Sequence, residues 1–245
     1  FALRLGVLEG SKGVVLDADA GLIDDNKAQA AFKTATALGL QAQPIFTYLA
    51  NSLRSGSREI PYSLVTATDL PAMKLVRQGS APSVWLIDWA ARDLNVKPGD
   101  SLTMEYYVWE DPGRLAIRTT EFQIAGIVPI ATGDRDMAPQ YKGITDADEL
   151  GDWDPPFPID LKRVRKLDED YWKTYRTTPK AFITLATGQQ LWRSRYGAMT
   201  SIRFTSASPQ DFARRFRDKI DLAAMGTVVK AVRSESLAAS RGATN

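Results

Sequence analysis

The sequence predicts an α+β fold. Three observations carry that expectation. Short strand-like and helix-like segments alternate over the first third of the chain. A pair of strand-forming segments flanks the turn Asp111–Gly113. Helical patterns return toward the C-terminal end. The 245 residues allow one large domain or two small ones, with enough chain to bury a core.

Taken in order, Val14, Val15 and Leu16 end a strand. Asp24 and Asp25 stand where a helix N-cap belongs, and the Ala-rich segment to Leu38 stops at Gly39. Gln43 to Leu53 alternates in the manner of a strand, Ser55–Ser57 turns, and Arg58 to Ala67 returns. Thr68 and Asp69 open a short helix with Pro71 in its first turn, and Gln78 to Pro82 reads as a linker. Val84 to Ile87 is a short strand, followed by a helix from Asp88 to Asn95. Ser101–Trp109 and Leu115–Ile130 then form a hairpin about a Pro-Gly turn. Thr132 to Asp160 has little periodicity. A stretch that long is a functional loop or an excursion packed by its own aromatics. Leu161–Arg176 is expected helical, Ala181–Leu185 a strand, and Thr187 the cap of a helix ending near Tyr196. Thr200–Thr205 turns Ile202 and Phe204 inward. Ser208 and Pro209 start a helix carrying Phe212, Phe216 and Ile220 at a four-residue spacing. Val228–Val232 is a last strand, and residues 234–245 a helical tail.

Two absences narrow the chemistry. With no Cys and no His, the chain has no disulfide, thiol nucleophile, Cys/His zinc site or Ser-His-Asp triad. Neutral-pH catalysis would fall to carboxylates, Lys, Tyr or Ser. Thirty-one basic against 29 acidic residues leave no global field that recruits nucleic acid. No phosphate-binding glycine loop occurs, and Arg214, Arg215, Arg217 and Lys219 read as a solvated helix face. The longest apolar run, Ile124–Ala131, falls far short of the roughly 20 residues of a membrane helix. The chain begins at Phe1, and the expectation is a piece of something longer.

Three functional readings attach to particular residues. The acidic stretch holds Asp136, Asp146, Asp148, Asp152 and Asp154 among others, and residues 146–157 resemble a calcium loop with Gly151 at its sixth position. Leu150 and Phe157 fill the fifth and twelfth positions, where ligands are required. The same carboxylates otherwise cap turns and pair with Lys162, Arg163, Arg165 and Lys166. Asp152 and Asp154, beside Trp109, Trp153 and Trp172, offer a carboxylate-dependent hydrolase in an aromatic cleft. A free-standing solute-binding module would need a deep pocket lined by Trp and Tyr.

Several stretches together resemble the extracytoplasmic core domain of FtsX-like ABC transporter permeases, the group that includes the MacB type. They are Val84–Leu94, Lys97–Asp100 and Phe122–Val128, with Asp88 where the family usually has Asn. Gly151–Leu161, Asp168–Phe182 and Gly188–Trp192 are similar to a longer subgroup. The resemblance covers most of the chain and implies a porter-like α/β subdomain formed by both chain ends (1–78 and 198–232). A mostly-β insertion (79–197) and a tail leading to a membrane helix (233–245) would complete it. It also implies no catalysis and no cofactor or metal. The location would be the periplasmic face of a bacterial inner membrane, within a membrane-embedded parent. Its partners would be a cytoplasmic ABC ATPase, a second permease copy, and an external protein or extruded substrate. The partner-contact loop is expected at Asp136, Asp146, Asp152, Trp153, Asp154 and Phe157.

Overall fold

A computed structural model describes residues 3–8, 13–75, 82–110, 113–205 and 208–220. The elements are β1 (Leu3–Val7), β2 (Gly13–Ala18), α1 (Asp25–Leu38), β3 (Ala42–Ser55), β4 (Arg58–Thr68), β5 (Ser83–Ile87), α2 (Asp88–Leu94), β6 (Ser101–Glu110), β7 (Arg114–Val128), α3 (Lys166–Tyr175), β8 (Ala181–Thr184), α4 (Leu185–Trp192), β9 (Ser201–Thr205) and α5 (Pro209–Lys219). The mixed helix and strand content agrees with the α+β expectation.

The strands form one ladder in the order β1, β2, β9, β3, β4, β8, β5, β7, β6, and β6 pairs back onto β3. That last pairing closes β3, β4, β8, β5, β7 and β6 into a barrel. Strand β3 belongs to both parts of the molecule. Its start, Ala42–Ile45, pairs with β9, and the rest pairs with β4 and, over Ala50–Arg54, with β6. A register shift between Ala50 and Ser52 bends the strand where the barrel closes.

Two cores follow. One gathers Val14, Leu16, Ala31, Ile202, Phe204 and Phe212 between helices α1 and α5 and the β1-β2-β9 end of the sheet. The other runs from Ile45 to Trp192 and fills and surrounds the barrel. Strands β3 and β4 therefore share the barrel's hydrogen bonds and core. A boundary near Gln78 falls after two barrel strands, whereas the change of core falls between Ala42 and Ile45 and again near Met199.

The resembling stretches pack as one unit. Strand β5 pairs in parallel with β7, setting Trp85 beside Gly126. The Asp100 carboxylate accepts from the Lys97 amide at 2.9 Å, and the Gly99 amide donates to the Ile124 carbonyl at 2.8 Å. Asp88 accepts from the amides of Trp89 (3.0 Å) and Ile130 (3.2 Å), tying the first turn of α2 to the end of β7.

Several local expectations are corrected. Strand β1, for which the sequence carries no clear signal, pairs with β2. The helix after Thr68 is only a 3-10 turn, Pro71–Met73, closed by Lys74 in the left-handed region. Helix α3 starts at Lys166 because the Asp168 carboxylate accepts the Arg165 amide at 3.0 Å and fixes the cap there. Leu161–Arg163 is a separate 3-10 turn capped by Asp160. Helix α4 is capped by Thr184, which accepts from the Thr187 amide, and ends at Trp192. The last strand expected at Val228–Val232 and the tail beyond it lie outside the described residues.

Residues 132–160 form the packed alternative of the two expected: an excursion of 3-10 turns around its own core of Ile144, Leu150 and Trp153, with Tyr62 and Trp172. Tyr62, at φ 41°, drops out of the β3 register within β4, and its hydroxyl accepts the Asp160 amide at 2.5 Å. Trp153 packs edge-on to Trp172, with centroids 5.0 Å apart. Trp153→Ala is expected to destabilise the domain by about 3–5 kcal/mol, the usual cost of emptying a buried indole site. Urea unfolding checks this, and a loss below about 1 kcal/mol would mean the excursion is not anchored there.

Candidate functional site

The carboxylates of the excursion do not converge. Asp136, Asp146, Asp152 and Asp154 are exposed, and among the described residues no three acidic side chains come together to hold a metal ion. The calcium-loop geometry is therefore not formed. The backbone uses this segment instead: the Asp154 amide donates to the Gly143 carbonyl at 2.8 Å. Gly143 has φ +79°, and a Cβ there would lie 2.1 Å from the Asp154 carbonyl oxygen, so only glycine permits this crossing.

The hydrolase arrangement is absent too. Asp152 and Asp154 face solvent outside the large cleft, Trp153 and Trp172 pack on each other, and Trp109 sits apart on the β6–β7 hairpin. Of the expected contact residues, Trp153 is only 5% exposed and belongs to the excursion's core. Phe157 is half-buried, with its ring 6.2 Å from that of Tyr107. The acids of the region divide: Asp168 pairs with Arg165 and Asp170 with Lys166 as expected, whereas Asp134 pairs with Arg203 and Glu149 with Lys173. The basic residues of α5 do face solvent, opposite Phe212 and Phe216.

The feature that sequence reasoning missed is a cleft of about 1000 Å³ between the two cores. One wall is the β2–α1 connection, Asp19 to Leu22, with Asp25. The other is the β6–β7 hairpin at Val108–Glu110 and Gly113. Excursion residues Tyr141, Lys142 and Phe157 and the segment Trp192–Tyr196 complete it, over a floor from β3. Its residues lie far apart in sequence, and only the closure of the barrel brings them together.

The floor is aromatic. Tyr48 and Trp192 stack at 5.0 Å with 9° between planes, and Phe46 and Tyr106 meet Trp192 edge-on. The Tyr48 hydroxyl donates to the Tyr107 carbonyl at 2.6 Å, and Tyr141 donates to the Thr47 carbonyl at 2.8 Å. Burial pushes the Tyr48 phenol up to about 12 and that of Tyr141 well above its usual value, so neither is a neutral-pH base. The wall is held close by Gly197, where a Cβ would lie 2.2 Å from the Ile23 carbonyl oxygen. Arg203 of β9 grips Asp134 through two contacts of 2.5 and 2.7 Å. Burial works against the Asp134 carboxylate, but Arg203 and the amides of Asp136 and Met137 outweigh it and hold its pKa below the usual range.

No family model matches the chain, and no curated protein matches it. Among solved structures, the chain is similar to the periplasmic region of MacB from Actinobacillus actinomycetemcomitans. The identity is 11% and the TM-score 0.44, over 99% of this chain and 92% of that one. No helix among the described residues is long and apolar enough to cross a membrane.

A second group with unusual titration is Lys180, buried before β8. Its ammonium lies 4.7 Å from the Tyr171 ring and 5.1 Å from that of Trp89. Burial pushes it down to about 8, against the charge of Asp168. The surrounding contacts are structural: Arg165 binds Asp168 and Asp93 and so joins α3 to α2. Because the folded value lies below the unfolded value of about 10.4, the folded chain binds fewer protons between them. Stability should therefore rise from pH 8 to pH 10.4, with a slope of up to about 1.4 kcal/mol per pH unit from this group. Lys180→Met is expected to flatten that rise in urea-unfolding series, and an identical slope in both proteins would count against it.

Proposed function

We propose that this chain is the extracytoplasmic domain of an ABC transporter permease, a non-catalytic body that passes motion of the membrane helices to an external partner or extruded substrate. The driving ATPase would be a separate cytoplasmic module, the permease would act as a dimer, and the setting would be the periplasmic face of a bacterial inner membrane. The signature stretches Val84–Leu94, Lys97–Asp100 and Phe122–Val128 supply the resemblance. The observation that supports the mechanical reading is the packing of β1 against α5. Strand β1 and helix α5, at the two limits of the described chain, pack together in one half. The barrel is inserted between α1 and β9 and joins that half through β3 and the segment Arg193–Thr200. In the proposed reading, a body held through this half would project the other.

In this reading the half built from β1, β2, α1, β9 and α5 is the porter-like unit, and the barrel with its excursion is the insertion. The exposed edge of the excursion, with Asp136, Asp146, Asp152, Asp154 and the half-buried Phe157, would meet the partner. A two-state relation between the halves would carry the motion, with no reactive side chain required.

The full reading frame provides the first test: membrane helices on both sides and an adjacent ATPase gene are expected, and their absence would overturn the class. The mechanical step is tested in the full permease complex. Asp25→Cys and Arg193→Cys face each other across the cleft, and the described chain's sequence holds no competing thiol. A bis-maleimide bridge there is expected to reduce transport-coupled ATPase activity at least about tenfold, by fixing one of two states. Full activity in the bridged complex would defeat the transmission reading while leaving the class intact.

A further inference from the structure

The buried side-chain donors around the cleft floor are committed to the protein, with one exception. Tyr48 and Tyr141 donate to backbone carbonyls, the Thr47 hydroxyl donates to the Met137 carbonyl at 2.6 Å, and the Thr200 hydroxyl to the Ile45 carbonyl at 3.2 Å. The indole N–H of Trp192 is buried and has no hydrogen-bond partner among the described residues. An orphaned buried donor is a standing cost, and an arriving acceptor removes it.

The packing of Trp192 sets where that N–H points. The benzenoid edge of the ring lies against Gly188, one turn back along α4, where a Cβ would come 3.1 Å from Cζ3 and 3.3 Å from Cε3. The nitrogen sits on the opposite edge of the indole, away from the helix. One face of the ring is stacked on Tyr48, itself a cleft residue. With the Gly188 edge and the Tyr48 face taken, the ring borders the cleft through its remaining face and the edge that carries the N–H. The N–H lies just beneath the floor, so an acceptor reaches it with a small shift of the ring. Trp192 ends α4, and the residues after it, Arg193–Tyr196, are largely exposed.

Charge gives no preference for an ion. Asp19, Asp25 and Glu110 line the cleft with Lys142, Arg193 and Arg195, three of each sign. Asp25 pairs with Arg193, Glu110 with both Arg114 and Arg118, and Asp17 and Asp19 share Arg4. The mouth offers apolar surface instead. Trp109 is 61% exposed and Tyr196 62%, one on the barrel hairpin and one on the segment that leads to β9. Apolar surface held open beside a concave aromatic floor marks a binding site rather than ordinary surface.

We propose that the cleft binds a small neutral amphiphile: a flat apolar body carrying one carbonyl oxygen, as in a ketone, ester or amide. The body lies against Tyr48, Tyr141 and Phe157 between Trp109 and Tyr196, and the carbonyl accepts from the Trp192 indole N–H. A second polar group at the buried end of the ligand would find its neighbours already committed and would lose its hydration without return. The floor therefore selects for a single acceptor. The inference does not rest on the permease reading.

The test is a fluorescence titration of the intact chain with 6-propionyl-2-dimethylaminonaphthalene, a neutral aromatic ketone. N-phenyl-1-naphthylamine, an aromatic amine without a carbonyl, serves as the counterpart. Saturable one-to-one binding of the ketone is expected, and the indole N–H proton resonance of Trp192 should move downfield with the ketone but not with the amine. Trp192→Phe keeps a ring in the core and removes the donor. It should weaken the ketone by about tenfold, the factor that one hydrogen bond supplies, and change the amine less than twofold. Trp109→Ala, at an exposed position, should weaken both probes. Should Trp192→Phe fail to fold, the resonance shift in the unaltered chain decides. Unsaturable binding, a Trp192 resonance that responds alike to both probes, or an unchanged ketone affinity in folded Trp192→Phe would each overturn the proposal. So would tighter binding of 8-anilino-1-naphthalenesulfonate, or of a trimethylammonium analogue, than of the ketone. None of these outcomes bears on the flanking-helix test.

Discussion

Strand β3 is the constraint on which both halves depend. Its backbone is hydrogen-bonded to β9 at one end, to β4 along its length and to β6 over its second half. Slipping that register by one residue would turn Ile45 and Leu53 out of the barrel core and Ala42 out of the other core together. The same register sets Thr47 and Tyr48 on the cleft floor, where their polar atoms reach Met137 and Tyr107. The pairing that closes the barrel thus also places the site.

The contacts within each half differ in kind from those between them. Inside the barrel the strands form continuous ladders around buried Phe46, Leu86, Phe182 and Ile183. Between the halves run the short β3–β9 ladder, the Arg203–Asp134 pair, the Thr47–Thr200 hydrogen bond and the Arg193–Asp25 pair. Arg193 and Asp25 are both more than half exposed, and such pairs are worth at most about 1 kcal/mol. Shearing one half against the other costs less than deforming either core, where each lost large side chain costs several kcal/mol. That hierarchy is what a body transmitting motion requires: stiff parts and a soft joint. In the reading proposed here, the cleft opens and narrows at that joint.

The fold was legible wherever local chemistry decides it. Asp24 and Gly39 bracket α1 as written, β6 and β7 pair antiparallel as expected, and Phe212 and Phe216 lie on the buried face of α5. Errors fell where a tertiary contact chose among local options. Thr184 outbid Thr187 as a cap because β8 ends there, and Asp168 delayed the start of α3 by binding Arg165. The long excursion has no period to read, since its order comes from Tyr62, Trp153 and Trp172, and Tyr62 leaves the β3–β4 register to meet the others. The cleft was not legible at all. Tyr48, Tyr141 and Trp192 each look like ordinary core aromatics in their own segments, and no spacing rule joins them.

The absence of His and Cys acquires a specific meaning at this site. The titratable groups that survive such a composition are Tyr, Lys and carboxylates. Here the floor phenols are buried with their protons given to carbonyls, and the rim acids are paired with arginines. Groups committed in this way cannot accept a substrate proton at neutral pH without first breaking a structural contact. What they can do is hold shape.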